Sequence, residues 1–267
     1  MQDLRVGNAL AVGMITMGRL RVLDAFTAEA TEAKTIDALR ETLSRISREL
    51  GFDYFALAEH IDLRNPQIAP LQIHNYPAGW AAYYIDRDLG PRDPIRRASH
   101  RTHIGFNWTK IPDFLVLTAA DRAVLAAGHS HGLGDGFTVP SHIPGEVSGS
   151  CSFVTSHETV FPLDQIWTAQ LIGALAFEGA QRLLGRVSRG SESMITERQR
   201  DCVLWAARGN TDAEIAEILG ISHETVIQHL KFARERYGVR KRTTLVIRAL
   251  FDGLISFSEI FQRHKYW

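Results

Sequence analysis

The stretch "TDAEIAEILGISHETVIQHLKFARERYG", residues 211–238, contains two helix starts separated by one sharp stop. Thr211 followed by Glu214 has the form of a capping box, in which the hydroxyl accepts from the third amide and the carboxylate reaches back. The helix it opens offers Ile215, Ala216, Ile218 and Leu219 to a core and stops at Gly220. After a three-residue turn, Ser222 can cap a second helix that buries Val226, Leu230, Ala233 and Tyr237 and turns Glu224, Gln228, Lys231 and Arg234 outward. Two short helices joined by a tight turn form a helix-turn-helix, whose second helix fits the major groove of DNA.

The flanking sequence agrees. Upstream, Thr196 and Gln199 make another capping box, and beyond residue 190 no convincing strand occurs. Downstream, residues 231–248 carry Lys231, Arg234, Arg236, Arg240, Lys241, Arg242 and Arg248 against Glu235 alone, a net charge of +6 from seven cations and one anion. A polyanion is attracted to such a surface, in a complex that weakens steeply with salt. Taken alone, the stretch could be a solvated basic helix end; the helix-turn-helix context favours nucleic acid. Whole-chain charge is silent, because Lys plus Arg and Asp plus Glu are 30 each.

The remaining chain has a different texture. With 267 residues, 45% of them hydrophobic, it can bury a sizeable core as one large domain or two modest ones. Ile36, Leu39, Leu43, Ile46 and Leu50 recur at spacings of three and four, which predicts an amphipathic helix closed by Gly51. "YFALAEHI" (54–61), "PLQIHNYP" (70–77), "GFTVPSHI" (136–143) and "VSGSCSFVTS" (147–156) read as strands, the last two separated by a Pro144-Gly145 turn. "LDQIWTAQLIGALAFEGAQRLL" (163–184) reads as a helix across the sheet, and "GRVSRGSES" (185–193) as a linker. Layers of helix, sheet and helix are expected, with about five strands. Cys151 and Cys202 lie far apart without CxxC spacing, which fits a reducing cytoplasm. "NALAVGMITMG" (8–18) lacks the flanks of a signal peptide, since Asp3 sits in the would-be basic region, and no apolar run is long enough to span a membrane.

Residues 195–243 resemble the LuxR-type DNA-binding domain. Thr196, Arg198, Trp205, Gly209, Glu214-Ile215-Ala216, Thr225-Val226, His229 and Gly238-Val239 fall at that family's spacing without a gap. Ile195, Gln199, Asn210 and Arg236-Tyr237 depart from its common residues. The resemblance implies a DNA-contacting set of Thr211, Ser222, Thr225, Gln228, Lys231 and Arg234, the two threonines on phosphate and the last three facing bases or backbone. His229 is then a packed or phosphate-facing residue.

Such a module can follow a phosphoacceptor receiver, an ATP-binding regulator or a small-molecule sensor. The acidic arrangement of a receiver and a GxxxxGK[ST] phosphate loop are both missing from the sequence. Trp80, Tyr84, Asp93-Pro94, Trp108 and Gly136, followed by "TVP", instead resemble in order and spacing the autoinducer-binding domain of LuxR-type quorum-sensing regulators, over roughly residues 22–184. An N-acyl homoserine lactone offers a lactone carbonyl, an amide N–H, an amide carbonyl and an acyl group. The Trp80 indole, only a donor, suits the lactone carbonyl, and a buried Asp93 carboxylate suits the N–H. Tyr76 and Ser152 can supply hydroxyls for the amide carbonyl, while Tyr84 and Trp108 offer flat walls. A buried, unpaired Asp93 is costly, so ligand binding and folding are expected to be coupled. Periodicity alone reads Trp80, Tyr83 and Tyr84 as core packing, and Asp93 as a helix N-cap with Pro94 in the first turn, a role compatible with ligand contact. Tyr83 reads as structural and Asp86, Arg87 and Asp88 as solvent-facing. Leu89, where many relatives carry an aromatic, leaves the acyl end open.

"GHSHGLGDG" (128–136) supports a competing reading, a metal-dependent hydrolase with His129, His131 and Asp135 as ligands, although further partners are not evident. The expectation is an α+β chain: an N-terminal extension (1–21), an α/β/α sandwich on an antiparallel sheet of about five strands (22–184), a linker (185–193) and an all-α four-helix helix-turn-helix domain (194–267). The resemblance implies a cytoplasmic, non-enzymatic transcriptional regulator without cofactor or membrane. It would bind a fatty or aryl acyl-homoserine lactone and act as a homodimer on an inverted repeat of double-stranded DNA, in contact with RNA polymerase. A regulator sensing a non-lactone aromatic or plant-derived molecule is the alternative.

Overall fold

The computed structural model of the chain describes residues 3–60, 71–142, 147–185 and 195–261, with residues 3–17 as backbone only. The Pro144-Gly145 turn and most of the predicted linker lie outside the described residues.

The first part of the chain runs α1 (Asp3–Glu32), α2 (Ile36–Glu49), β1 (Tyr54–Glu59), β2 (Gln72–His74), α3 (Ala78–Asp86), α4 (Pro94–Ser99), β3 (Phe106–Asn107), α5 (Ala119–Ser130), β4 (Leu133–Ser141), β5 (Gly149–Ser156) and α6 (Ile166–Leu183). The stretch read as an extension contributes residues 3–21 to α1, and α2 starts where the periodicity places it, with the Thr35 hydroxyl accepting from the Ala38 amide. Gly51, at φ +87°, takes the backbone out of that helix in the left-handed region that glycine favours. The fifth strand, absent from the pattern reading, is the two-residue β3.

All five strands pair antiparallel in the order β2-β1-β5-β4-β3. Because side chains alternate across a strand, one register sets two faces. Phe55 and Leu57 of β1, Phe137 and Val139 of β4, and Cys151 and Phe153 of β5 enter a core with Phe26 of α1, Leu39, Leu43 and Ile46 of α2, and Ile172, Ala176 and Phe177 of α6. The two helices expected to cover the sheet therefore lie on the same face as each other, and α3, α4 and α5 supply the opposite layer. The packing is close: a Cβ on Gly149 would overlap the Phe177 ring and lie 2.7 Å from the Ala58 carbonyl oxygen. Burial of this apolar face is the main stabilising term for the sheet.

The second part is helical: α7 (Glu197–Ala207), α8 (Asp212–Leu219), α9 (His223–Arg236), α10 (Arg242–Phe251) and a short α11 (Phe257–Ile260). Both predicted capping boxes are formed, and a third, Ser256 with Glu259, opens α11. Gly220, at φ 65° and ψ 37°, ends α8, and the Ser222 hydroxyl accepts from the Thr225 amide to begin α9. Ile195, Val203, Ile215, Val226, Leu230 and Leu245 share one core. The departures at positions 195, 199 and 210 are absorbed: Ile195 is buried, the Gln199 side chain reaches back to the Thr196 amide, and the Asn210 carbonyl accepts from Arg242.

Phe177 is 1% exposed and fills the space above Gly149. Phe177→Ala is expected to cost about 3–5 kcal/mol through lost burial and the cavity left behind. Urea denaturation followed by tryptophan fluorescence checks this; a loss below about 1 kcal/mol would contradict the packing described.

Candidate functional sites

The face of the sheet turned away from the large apolar core, with Tyr54 beside Val154 at one end, carries small or polar side chains over its middle. On β1 they are Ala56 and Ala58, on β5 Ser150 and Ser152, and the register sets Ala56 beside Ser152 and Ala58 beside Ser150. Thr138 of β4 stands beside Ser152 on the other side. Gly136 of β4 leaves room for the Trp108 ring, whose nearest atom lies 2.5 Å from where a Cβ would stand. A floor this short, roofed by α3, α4 and α5, leaves a cavity of about 630 Å³, within the range of small-molecule sites.

Tyr76, Trp80, Tyr84, Asp93, Trp108 and Ser152 all line this cavity. Asp93 has two roles. One carboxylate oxygen accepts from the Ile95 amide at 2.8 Å, capping α4 with Pro94 at its first position, and the other accepts from the Tyr84 hydroxyl at 2.8 Å. Burial raises the Asp93 carboxyl above its ordinary value, against the lowering effect of those hydrogen bonds and of the Arg96 charge. Burial also raises the Tyr76 and Tyr84 hydroxyls, and the nearby Asp93 adds to both shifts, so both stay protonated donors. Among the described residues neither the Trp80 indole N–H nor the Tyr76 hydroxyl has a hydrogen-bond partner. The Trp108 N–H donates to Thr138 Oγ1 at 2.9 Å, and Thr138 and Ser152 hydroxyls are 2.8 Å apart. When the Thr138 hydroxyl donates to Ser152 Oγ, the Ser152 O–H is left to donate into the cavity. The site thus joins donors at Trp80 and Tyr76, and a hydroxyl at Ser152 that can donate, to a partly buried acceptor at Asp93.

Leu89 does not line the cavity; it packs behind it with Trp80, Leu133 and Val154. Tyr83 stacks on Trp80, with ring centroids 6.0 Å apart, and lies 4.9 Å from the His131 ring. Sequence reasoning missed Thr138, which orients Trp108, and a polar region formed by His60, Arg96 and Ser150. It also missed His74, a lining residue whose Nδ1 is buried without a hydrogen-bond partner. The available signal was alternation: small residues at every second position of β1 and β5 beside large ones between.

"GHSHGLGDG" spans the end of α5 and the start of β4. His129 Nδ1 lies 3.2 Å from the Leu133 carbonyl oxygen and His131 Nδ1 2.7 Å from that of Ala127. Among the described residues no three His, Cys, Asp or Glu side chains are grouped to hold a metal ion.

In the helical part, α9 exposes Gln228 and Lys231. Lys231 Nζ lies 3.9 Å from Glu235 and Arg234 is half-buried. Thr211 and Ser222 are exposed at their helix starts, with Thr225 partly covered; Thr211 is bound by Glu214 and the Ser222 and Thr225 hydroxyls are 2.9 Å apart. Arg242, counted above among the basic residues, is committed internally: it pairs with Asp212 and donates to the Asn210 carbonyl, tying the start of α10 to that of α8.

The Asp93 shift fixes the sign of a pH dependence. A carboxyl that is a weaker acid when folded than when unfolded stabilises the fold most below its unfolded value near 3.8, and that stability is lost as pH rises through the folded value. Asp93→Asn, which retains an acceptor, is expected to raise the ligand-free melting temperature at pH 7 by about 2–5 °C. The difference should vanish below pH ~4. Melting curves between pH 3.5 and 8 test this; a variant less stable at pH 7, or an offset independent of pH, would contradict it.

Residues 35–183 match the family described as "Autoinducer binding domain", and residues 193–249 match "Bacterial regulatory proteins, luxR family". The chain is 26% identical over 224 residues to the transcriptional activator protein LuxR of Aliivibrio fischeri, covering 82% of this chain and 88% of that protein. It is 26% identical over 227 residues to the regulatory protein SdiA of Escherichia coli, covering 83% and 92%. A crystal structure of Escherichia coli SdiA superposes with a TM-score of 0.65 at 23% identity, covering 90% of this chain and 99% of that one, a likeness of fold. An autoinducer-binding domain over more than half of its length, followed by a luxR-type helix-turn-helix, establishes that the chain belongs to the LuxR family of autoinducer-binding transcriptional regulators.

Proposed function

We propose that the chain binds an N-acyl homoserine lactone in the cavity and, as a homodimer, binds an inverted repeat in promoter DNA to regulate transcription, in the cytoplasm and in contact with RNA polymerase. The observation that carries this reading is the meeting, in one cavity, of the Trp80 and Tyr76 donors, which lack partners among the described residues, with the partly buried Asp93 acceptor. Trp80 would donate to the lactone carbonyl, Asp93 accept the amide N–H, and Tyr76 and Ser152 donate to the amide carbonyl, while Tyr84 and Trp108 enclose the apolar part. The sensing module is taken as 22–184, with residues 185–193 linking it to the DNA-binding module 194–267. Thr211, Ser222, Thr225, Gln228, Lys231 and Arg234 are assigned to DNA. These roles are non-covalent, so neither catalysis nor a cofactor is invoked. Among the described residues no helix is long and apolar enough to cross a membrane.

A non-lactone ligand is the second reading. SdiA has been solved in complex with octanoyl-rac-glycerol, and that structure superposes with a TM-score of 0.65 at 24% identity. The acceptor and donors around Asp93 would serve any ligand that offers an N–H or O–H beside a carbonyl.

Mass spectrometry of small molecules extracted from protein expressed with and without an acyl-homoserine lactone tests the proposal. Recovery of the lactone with a raised melting temperature is expected; no recovery and no thermal shift would overturn it. On DNA, Lys231→Ala is expected to lower affinity and to reduce the salt slope by about 0.9 without changing lactone binding. An unchanged slope would remove Lys231 from the phosphate contacts.

A further inference from the structure

Resting on the lactone reading, the polar end of the cavity indicates what the acyl group carries. Ser150 and Ser152 face the same side of β5 two residues apart, so Ser150 lies about 7 Å beyond Ser152 along the strand. Its neighbours across the sheet are Ala58 and Pro140, neither of which can hydrogen-bond through its side chain. The Ser150 hydroxyl lies 3.0 Å from His60 Nε2, and His60 Nδ1 lies 3.2 Å from His100 Nε2. His60, Arg96 and Ser150 line the same cavity as Trp80 and Asp93.

We propose that the distal part of the acyl group bears a neutral oxygen function, a hydroxyl above all, which hydrogen-bonds Ser150, and that a plain hydrocarbon acyl group is discriminated against. Serine and histidine side chains in series can each donate or accept. Whichever tautomer His60 adopts, the Ser150 oxygen can turn either its proton or a lone pair towards the ligand. A hydroxyl answers both arrangements. Burial, together with the charges of Arg96, His100 and His142, lowers His60 to about 2, so it is neutral and adds no cation. Arg96 does not call for an anionic tail, because its charge already acts on Asp93 and its guanidinium packs against Gly90. A saturated chain here would cover polar groups without offering them a partner, an unfavourable exchange with water.

Isothermal titration of the full chain with two lactones that differ by one oxygen, N-(4-hydroxycinnamoyl) and N-cinnamoyl homoserine lactone, tests the inference. The hydroxylated compound is expected to bind about tenfold more tightly. In Ser150→Ala the gap should shrink to within about twofold, through weaker binding of the hydroxylated compound, while the cinnamoyl compound binds as before and so reports an intact fold. Equal affinities in the unaltered chain, or a gap that survives Ser150→Ala, would overturn this inference and leave the lactone reading standing. Binding of an alkanoyl lactone but of neither cinnamoyl compound would overturn it in the same way. If no lactone binds, the lactone reading falls and the inference with it.

Discussion

The partly buried carboxylate of Asp93 connects the scaffold to the cavity. One oxygen closes the N-terminus of α4 through the Ile95 amide, and the other holds the Tyr84 hydroxyl, so the residue that starts one helix also orients a ring on another. A carboxylate accepts more than two hydrogen bonds, and the capacity left over faces a space where burial already penalises its charge. An N–H donor entering that space would relieve the penalty. On the proposed reading, ligand recognition and helix positioning would draw on one side chain, a physical basis for coupling occupancy to the order of the surrounding layer.

That space exists because β1, β4 and β5 treat their two faces differently. Phenylalanine, leucine, valine and cysteine on one face make an apolar core with α1, α2 and α6; alanine, serine, threonine and glycine over the middle of the other leave the roof helices standing off the floor. The division follows from the two-residue period of a strand, and a one-residue slip of register would exchange the faces. Trp108 shows the tolerance involved: it rests against Gly136 and is fixed by its hydrogen bond to Thr138.

Much of this was legible in the linear chain. Capping boxes at Thr196 and Thr211, the stop at Gly220 and the stripes of α2 and α9 are local signals, and the structure keeps them. α5 was less legible because its alanines surround only two large apolar residues, Val124 and Leu125, although the Thr118 and Asp121 capping box marks its start. β3 pairs only two residues and has no period to detect. Tyr76, Trp80, Tyr84 and Asp93 stood out through order and spacing within one short segment. The Trp108–Thr138 and His60–Ser150 contacts did not, since they join positions 30 and 90 residues apart and depend on strand register. The commitment of Arg242 to Asp212 was hidden for the same reason.

The central claim is that Asp93 accepts a hydrogen bond from the ligand amide. Titration calorimetry with an N-acyl homoserine lactone and with its analogue carrying an ester oxygen in place of the amide N–H isolates that bond. The account predicts a loss of about 10- to 100-fold for the ester, the worth of a hydrogen bond to a charged acceptor. Equal affinity for the two compounds would contradict it.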